Sequence, residues 1–556
     1  MKILLVTEKY NPDEIQRDGG ARLVETLKRS LGEKLSIMQF DGNKHHTKNR
    51  WSFKYPINLE NRFERRIANA EFIAKQVKFV VSDFTHVIFV HVSMQFQCLL
   101  ADNIETWTFP MFLTPSYKFS GEMVPPEYTK MEKIALSYTK NILTPSYFEK
   151  KQLQEYYHIP ENKIHVIPRG VDRNFFKPVS RDFNKNKPLI FCSVGSIKPQ
   201  KNTLELVDLF SSIKNAYPES QLRIIGPIQN QPYYKQVKDK ISSLRLAESI
   251  ELIGYVSPEK LSDIIADCHI HISTSNCETF GRSIFETLAS GIPNIARLEN
   301  NAAYDFLQNL PYIRFTSNNN EAMRAIDEIL SYFSKLSLMA SEIGTLYDDK
   351  RLEKPIVAKI CNSDTLIVSD YDGTIFHKSC ESRTADYIEK FKQFTPRVLC
   401  SARSTEDLLV EIKRYDFEVD WIISYSGAVT ADGKGSILFI NPLLEEEVKE
   451  IMNIVPEYQK IIVNNQVIQI STSSTINNSI PGLNIETYHG VSFISNWKSS
   501  KLRAICKLLD HINWKGYIKA LGDGKYDLEY LRYFDGHLVQ GEKEISFANQ
   551  LKRGRE

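Results

Sequence analysis

Leu366-Ile367-Val368-Ser369-Asp370-Tyr371-Asp372-Gly373-Thr374 reads as a buried strand that ends by presenting two carboxylates and then turns at a glycine. Its apolar run fits a strand covered on both faces of a parallel sheet. Alternate strand residues share a face, although the turn at Gly373 frees Asp370 and Asp372 from staying parallel. At the carboxyl end of a parallel strand, both would stand in the crevice where open α/β sheets bind ligands. Clustered carboxylates repel unless a cation joins them. A hard divalent ion with oxygen ligands, magnesium above all, relieves that repulsion and keeps positions open for phosphate oxygens.

The same alternation extends along the 556 residues. Short apolar runs at 2–6, 86–92, 189–194, 221–225, 249–253 and 269–273 alternate with helical patterns such as 21–30, where residues 21, 23, 24 and 27 are apolar and Gly32 follows. This predicts an α/β protein with parallel Rossmann-like sheets. Composition breaks near 173–187 and again between 348 and 364. The expected units are 1–175, 176–347, a linker at 348–363, and 364–556, the last carrying a small inserted α+β cap at about 430–497 that includes hairpin-like strands at 459–470.

Further motifs follow the Asp-x-Asp pair in order: Val398-Leu399-Cys400-Ser401-Ala402-Arg403-Ser404, Ser426-Gly427-Ala428, Ser500-Lys501-Leu502-Arg503-Ala504 and Gly522-Asp523-Gly524-Lys525-Tyr526-Asp527. Singly, each is an ordinary turn or a solvated helix residue. Together they resemble the motifs of the haloacid-dehalogenase (HAD) superfamily of phosphatases, in the branch with a cap between the second and third motifs. Ala402 stands where Gly is usual, and Ser426 where Asn is usual. The resemblance implies Asp370 as nucleophile and Asp372 as general acid and base, with Ser401 and Lys501 holding phosphate. It also implies a magnesium site drawn from Asp370, Asp372, Asp523 and Asp527.

A second constellation lies in Ser273-Thr274-Ser275-Asn276-Cys277-Glu278-Thr279-Phe280-Gly281-Arg282-Ser283-Ile284-Phe285-Glu286-Thr287-Leu288-Ala289-Ser290-Gly291-Ile292-Pro293. A strand gives way to a polar loop, and a helix starts near Gly281, buries Ile284, Phe285, Leu288 and Ala289, and stops at Gly291. Glu278 and Glu286 can accept hydrogen bonds from vicinal sugar hydroxyls, and the helix N-terminus between them suits a pyrophosphate. This stretch resembles the Glu-x7-Glu region of family 4 retaining glycosyltransferases of the two-domain GT-B fold.

Val166-Ile167-Pro168-Arg169-Gly170-Val171-Asp172 and Val194-Gly195-Ser196-Ile197-Lys198-Pro199-Gln200-Lys201 resemble that family's interdomain and diphosphate-binding segments. Arg169 replaces the usual Asn and Ser196 the usual Arg. The resemblance implies a nucleotide-sugar site of Gly19, Gly20, Lys201, Glu278, Phe280, Gly281 and Glu286. Glu278 would hold the transferred sugar and Glu286 the ribose, with His91 near the reaction centre. With Ser196 neutral, Lys198 or Arg282 would have to supply the second cation.

Lys plus Arg total 70 against 68 Asp plus Glu, so no bulk charge points to nucleic acid. No run approaches 18 apolar residues, which excludes a membrane-spanning helix from the expectation. Eight scattered cysteines without a C-x-x-C pair argue against zinc or a disulfide framework and for a cytoplasmic setting. The basic, aromatic stretch 44–66 leaves three readings open: a peripheral membrane patch, an anionic-acceptor site, or a solvated loop and helix. The functional expectation is a bifunctional enzyme that transfers a sugar from a nucleotide-sugar to an acceptor, a sugar phosphate being one candidate, and hydrolyses a phosphate monoester with magnesium. The alternatives are a transferase of polysaccharide, lipid or metabolite with an independent phosphatase, and a degenerate nucleotide-sugar-binding scaffold that regulates the phosphatase.

Overall fold

The computed structural model describes residues 1–8, 10, 19–40, 46, 47, 50–179, 181–184, 186–378, 380–474, 476, 482–540 and 543–546. Lys44 and Lys48 of the basic stretch, and part of the expected cap, lie outside them. The chain forms two compact units, Met1–Ile360 and Cys361–Glu556.

The first unit holds two sheets. One runs, edge to edge, through His46–Thr47, Arg50–Phe53, Leu35–Phe40, Ile3–Thr7, His86–Val90, Glu105–Phe109, Asn141–Thr144 and Ile164–Val166. Its central strand Ile3–Thr7 pairs in parallel on both sides. Ile3, Leu4, Leu5 and Val6 are each 0% exposed, which explains why this strand reads as an unbroken apolar run. The other sheet is all parallel, in the order Ile250–Gly254, Gln221–Ile225, Ile190–Val194, Ile270–Ser273, Asn294–Arg297 and Ile313–Thr316. Ligand-facing loops therefore leave the carboxyl ends of both sheets, as the alternating pattern predicts.

Residues 348–363, expected as a linker, are instead mostly the helix Asp349–Ile360. Leu352, Ile356 and Ile360 recur every four residues and are buried, a period masked in the sequence by the charges and Pro355 around it. The helix is tied to helix Gly19–Leu31 by Arg29, whose Nε donates to Glu353 at 3.1 Å and whose Nη2 donates to Asp349 at 3.1 Å.

The second unit is built on a mixed sheet ordered Ile437–Ile440, Val429–Asp432, Trp421–Ser424, Arg397–Cys400, Thr365–Asp370, Tyr517–Gly522, His537–Gln540 and Lys543–Ser546. The cap has its own antiparallel sheet, Gln459–Val463, Gln466–Thr472, Val491–Asn496 and Leu483–Tyr488, and the helix Glu445–Ile454. The cap therefore begins later than position 430. Val429 and Ala431 are buried, and their strand pairs antiparallel with Trp421–Ser424, so this hairpin extends the main sheet. Asn464 and Asn465, both at positive φ (49° and 61°), turn the cap's first hairpin, the conformation a two-residue type I′ connection requires.

Candidate active sites

In the second unit the central strand Thr365–Asp370 pairs with Arg397–Cys400 on one side and Tyr517–Gly522 on the other, all parallel. Asp370, Ser401 and Asp523 thus leave three adjacent strands at one edge. Asp370, Asp523 and Asp527 each bring a carboxylate oxygen within 4.8 Å of the others. Lys501, at the start of helix Lys501–His511, lies among them, its Nζ donating to Asp370 Oδ1 at 2.6 Å and to Asp527 Oδ1 at 2.7 Å.

Two glycines make this convergence sterically feasible. A Cβ on Gly373 (φ +80°) would meet Asp523 Oδ2 at 1.9 Å, and one on Gly427 (φ +98°) would meet the Ser500 carbonyl oxygen at 2.3 Å. The first glycine lets the Asp523 carboxylate approach the turn that follows Asp370, and the second lets the Ser426-Gly427 turn pack on the start of the lysine helix.

Three carboxylates face one ammonium here. Burial pushes the Asp370 carboxyl well above its ordinary range; Lys501 opposes this, and Asp527 and Asp523 add to it. Burial likewise, then Asp527, push Asp523 up to about 6. Burial works against the Lys501 ammonium, but Asp370 and Asp527 outweigh it and hold its pKa well up. Surplus negative charge from an all-oxygen donor set suits a hard divalent cation. Asp370, Asp523 and Asp527 are the side chains that would hold it.

The Asp372 carboxylate is not in this cluster, contrary to the expected ligand set. Arg403 grips it with both prongs, Nε to Oδ2 at 2.7 Å and Nη2 to Oδ1 at 2.5 Å, and lies over the Tyr371 ring at 5.2 Å. A bidentate guanidinium fixes the orientation of a carboxylate better than a single hydrogen bond. Arg403 stands two residues past Ser401 in a motif the sequence already displays; its role there had no separate signal. Ser401 is buried and its Oγ accepts from the Arg403 backbone N–H at 3.2 Å.

In the first unit, Glu278 and Glu286 are both buried at the carboxyl end of strand Ile270–Ser273, flanking the start of helix Arg282–Ala289. Lys201 Nζ donates to Glu278 at 2.5 Å. Although burial opposes ionisation, Lys201 keeps the Glu278 carboxyl below its ordinary value. Glu286 accepts from Arg22 Nη1 at 2.8 Å. Arg22 sits in helix Gly19–Leu31, just past Gly19 and Gly20, which form that helix's first turn, so a residue two positions beyond the glycine pair reaches the second sheet's carboxylate.

Gly281 caps its helix at φ +82°. The Phe280 ring is buried and stacked on Phe285 at 4.4 Å, so it belongs to the core and offers the site only its backbone. Of the two cations expected to offset Ser196, Lys198 is buried near Lys201 and Glu278: burial, Lys201 and Arg62 bring its pKa down to about 8, with Glu278 opposing. Arg282 lines a cleft together with Arg22 and Arg169.

His91 is not a strand residue. It follows strand His86–Val90 at φ +88° and is 8% exposed. Its Nδ1 faces the Ser93 backbone N–H at 3.1 Å and the Ser93 hydroxyl at 2.8 Å, while its buried Nε2 has no hydrogen-bond partner among the described residues. Burial, with Arg66 and Arg62 adding, holds its pKa well down, so the ring is neutral. Of the described basic stretch, Arg62 Nη2 donates to both carboxylate oxygens of Glu122 at 2.6 and 2.7 Å, and Arg66 pairs with Glu8 at 2.6 Å.

Comparison with known proteins now adds family identity to these sites. Residues 107–175 match Glycosyltransferase Family 4 and 176–334 match Glycosyl transferases group 1. Residues 367–480 match the haloacid dehalogenase-like hydrolases. Among curated proteins, the mannosylfructose-phosphate synthase of Agrobacterium fabrum is 29% identical over 26% of this chain and 35% of its own length. A probable sucrose-phosphate synthase of Thermosipho melanesiensis is 28% identical over 37% of this chain and 50% of its own. The chain thus spans half or less of these relatives. The solved sucrose-phosphate synthase of Thermosynechococcus elongatus superposes with a TM-score of 0.55 at 16% identity, covering 65% of this chain and 99% of that one, which bears out the GT-B fold. No helix among the described residues is long and apolar enough to cross a membrane. The chain joins glycosyltransferase domains of the group 1 and family 4 kind, in a GT-B fold, to a haloacid dehalogenase-like hydrolase domain.

Proposed function

We propose that the first unit transfers a sugar, with retention, from a nucleotide-sugar to a phosphorylated sugar, and that the second unit hydrolyses the phosphate monoester so formed. The observation that carries this reading is the Asp370–Lys501–Asp527 arrangement, suited to phosphate, in a chain two of whose transferase relatives are named for phosphorylated disaccharides, although others are named for glycolipids.

In the transferase, Lys201 and Lys198 face the diphosphate leaving group, assisted by the amides at the start of helix Arg282–Ala289. Glu286 accepts from ribose hydroxyls, exchanging Arg22 for them, and Glu278 accepts from the donor sugar. The unpartnered His91 Nε2 meets the transferred sugar or acceptor. Arg62 acts electrostatically on both His91 and Lys198, although it is itself paired with Glu122, and this supports an anionic acceptor.

In the phosphatase, an Asp370 oxygen attacks phosphorus, the bond to the sugar oxygen breaks, and Asp372 protonates that oxygen as it leaves. Asp372 then takes a proton from water, whose oxygen attacks the aspartyl-phosphate; inorganic phosphate departs and Asp370 is restored. Lys501 and Ser401 hold the phosphoryl oxygens. Magnesium, bound by Asp370, Asp523 and Asp527, would supply neutralisation of the charge spread over those oxygens.

The test gives purified protein one nucleotide-sugar donor at a time with hexoses and hexose 6-phosphates. Transfer confined to phosphorylated acceptors, with inorganic phosphate released afterwards, is expected; equal transfer to both acceptors would overturn the reading.

A further inference from the structure

The cap sends a carboxylate back to the phosphatase core. Glu486, on cap strand Leu483–Tyr488, is 7% exposed and is separated by 60 residues from its core partner Ser426, whose Oγ donates to Glu486 Oε2. The Tyr488 hydroxyl donates to the same oxygen at 2.8 Å. Among the described residues, Oε1 takes a 3.4 Å contact from Asn484 Nδ2 alone.

Every one of these partners is neutral. A buried carboxylate facing only hydroxyls and an amide is expensive to keep for stability alone, and burial accordingly pushes its pKa up. Two oxygens offer about four acceptor positions, so Oε1 retains capacity for further donors. Gly427, next to Ser426, packs on the Ser500 carbonyl and the Lys501 backbone nitrogen, so Ser426 and the carboxylate bonded to it stand by the start of the lysine helix.

Aromatic surface adjoins it. Tyr488 lies 5.0 Å, centroid to centroid, from Tyr526 of the metal motif. The Tyr526 hydroxyl accepts from the Thr487 backbone N–H at 2.7 Å, which pins the cap strand to the core. Carboxylate acceptors next to an aromatic wall match vicinal hydroxyls above an apolar sugar face.

We propose that Glu486, with Tyr488 beside it, selects the alcohol portion of the phosphatase substrate, accepting hydrogen bonds from the hydroxyls of a sugar phosphate through Oε1. The inference rests on the phosphatase reading and adds to it a positive requirement for a polyhydroxylated leaving group. Glutamine at 486 would keep the shape but replace an acceptor oxygen with an N–H donor, and sugar hydroxyls would lose their ionic acceptor.

The test compares full-length protein with Glu486→Gln and Tyr488→Phe on two substrates, p-nitrophenyl phosphate and a set of disaccharide and hexose phosphates. Glu486→Gln is expected to raise KM for the sugar phosphates roughly tenfold or more and to leave kcat/KM for p-nitrophenyl phosphate within about twofold; Tyr488→Phe, which retains the ring, gives a smaller change in the same direction. Equal loss on both substrates would show a purely structural latch and overturn the proposal, as would no change on either. Absence of hydrolysis of p-nitrophenyl phosphate by the unaltered protein would instead overturn the phosphatase reading itself.

Discussion

The two units handle anionic oxygen by opposite electrostatic means. In the transferase, buried charges are balanced pairwise without a ligand: Lys201 with Glu278, Arg22 with Glu286. In the phosphatase, three carboxylates share one lysine, and burial plus mutual repulsion lift Asp370 and Asp523. On the proposed reading the first arrangement would bind its ligand by exchanging partners, and the second would take up a cation.

The largest expected effect separates the sites by that difference. Chelation of divalent cations should reduce phosphate release by about a thousandfold while nucleotide-sugar turnover is unchanged, each followed by its own product assay. Lys201→Ala should do the converse, lowering nucleotide-sugar turnover roughly a hundredfold with hydrolysis of p-nitrophenyl phosphate intact. A parallel fall in both activities, for either treatment, would erase the contrast.

Arg403→Gln probes how Asp372 is held. With its fork gone, kcat for an alkyl phosphate should fall roughly tenfold, and much less for p-nitrophenyl phosphate, whose leaving group needs no proton. Equal losses would mean that Arg403 acts elsewhere.

Two pH effects are smaller. Asp523 is raised to about 6, so its protonated form favours the folded chain; without metal that contribution is present below the ordinary carboxylate range and lost as pH rises through about 6. Magnesium replaces the proton, so its increase in melting temperature should be larger at pH 7.5 than at pH 5. Lys198, lowered to about 8, sheds its charge above that pH, and nucleoside diphosphate affinity should weaken about threefold between pH 7 and 9. Flat profiles would contradict these assignments.

The sheets were readable because their central strands, such as Ile3–Thr7 and Thr365–Asp370, are buried on both faces and so are continuously apolar. Site residues that follow such strands, Asp370, Asp523 and Glu278, were readable for the same reason: topology places every strand end at one edge. Side-chain aim was not. Asp372 follows Asp370 by two residues yet turns away to Arg403, and Phe280 lies between polar neighbours yet packs on Phe285. Contacts across long separations, Arg22 with Glu286 and Glu486 with Ser426, leave no local pattern at either end. The helix Asp349–Ile360 was hidden because its apolar period of four is interrupted by charges and a proline.

Coupling between the two reactions is most directly tested by Asp370→Asn, supplied with donor and phosphorylated acceptor, with both products quantified by mass. The account predicts that a phosphorylated glycoside accumulates and the free glycoside disappears; free glycoside formed at the unaltered rate would contradict it.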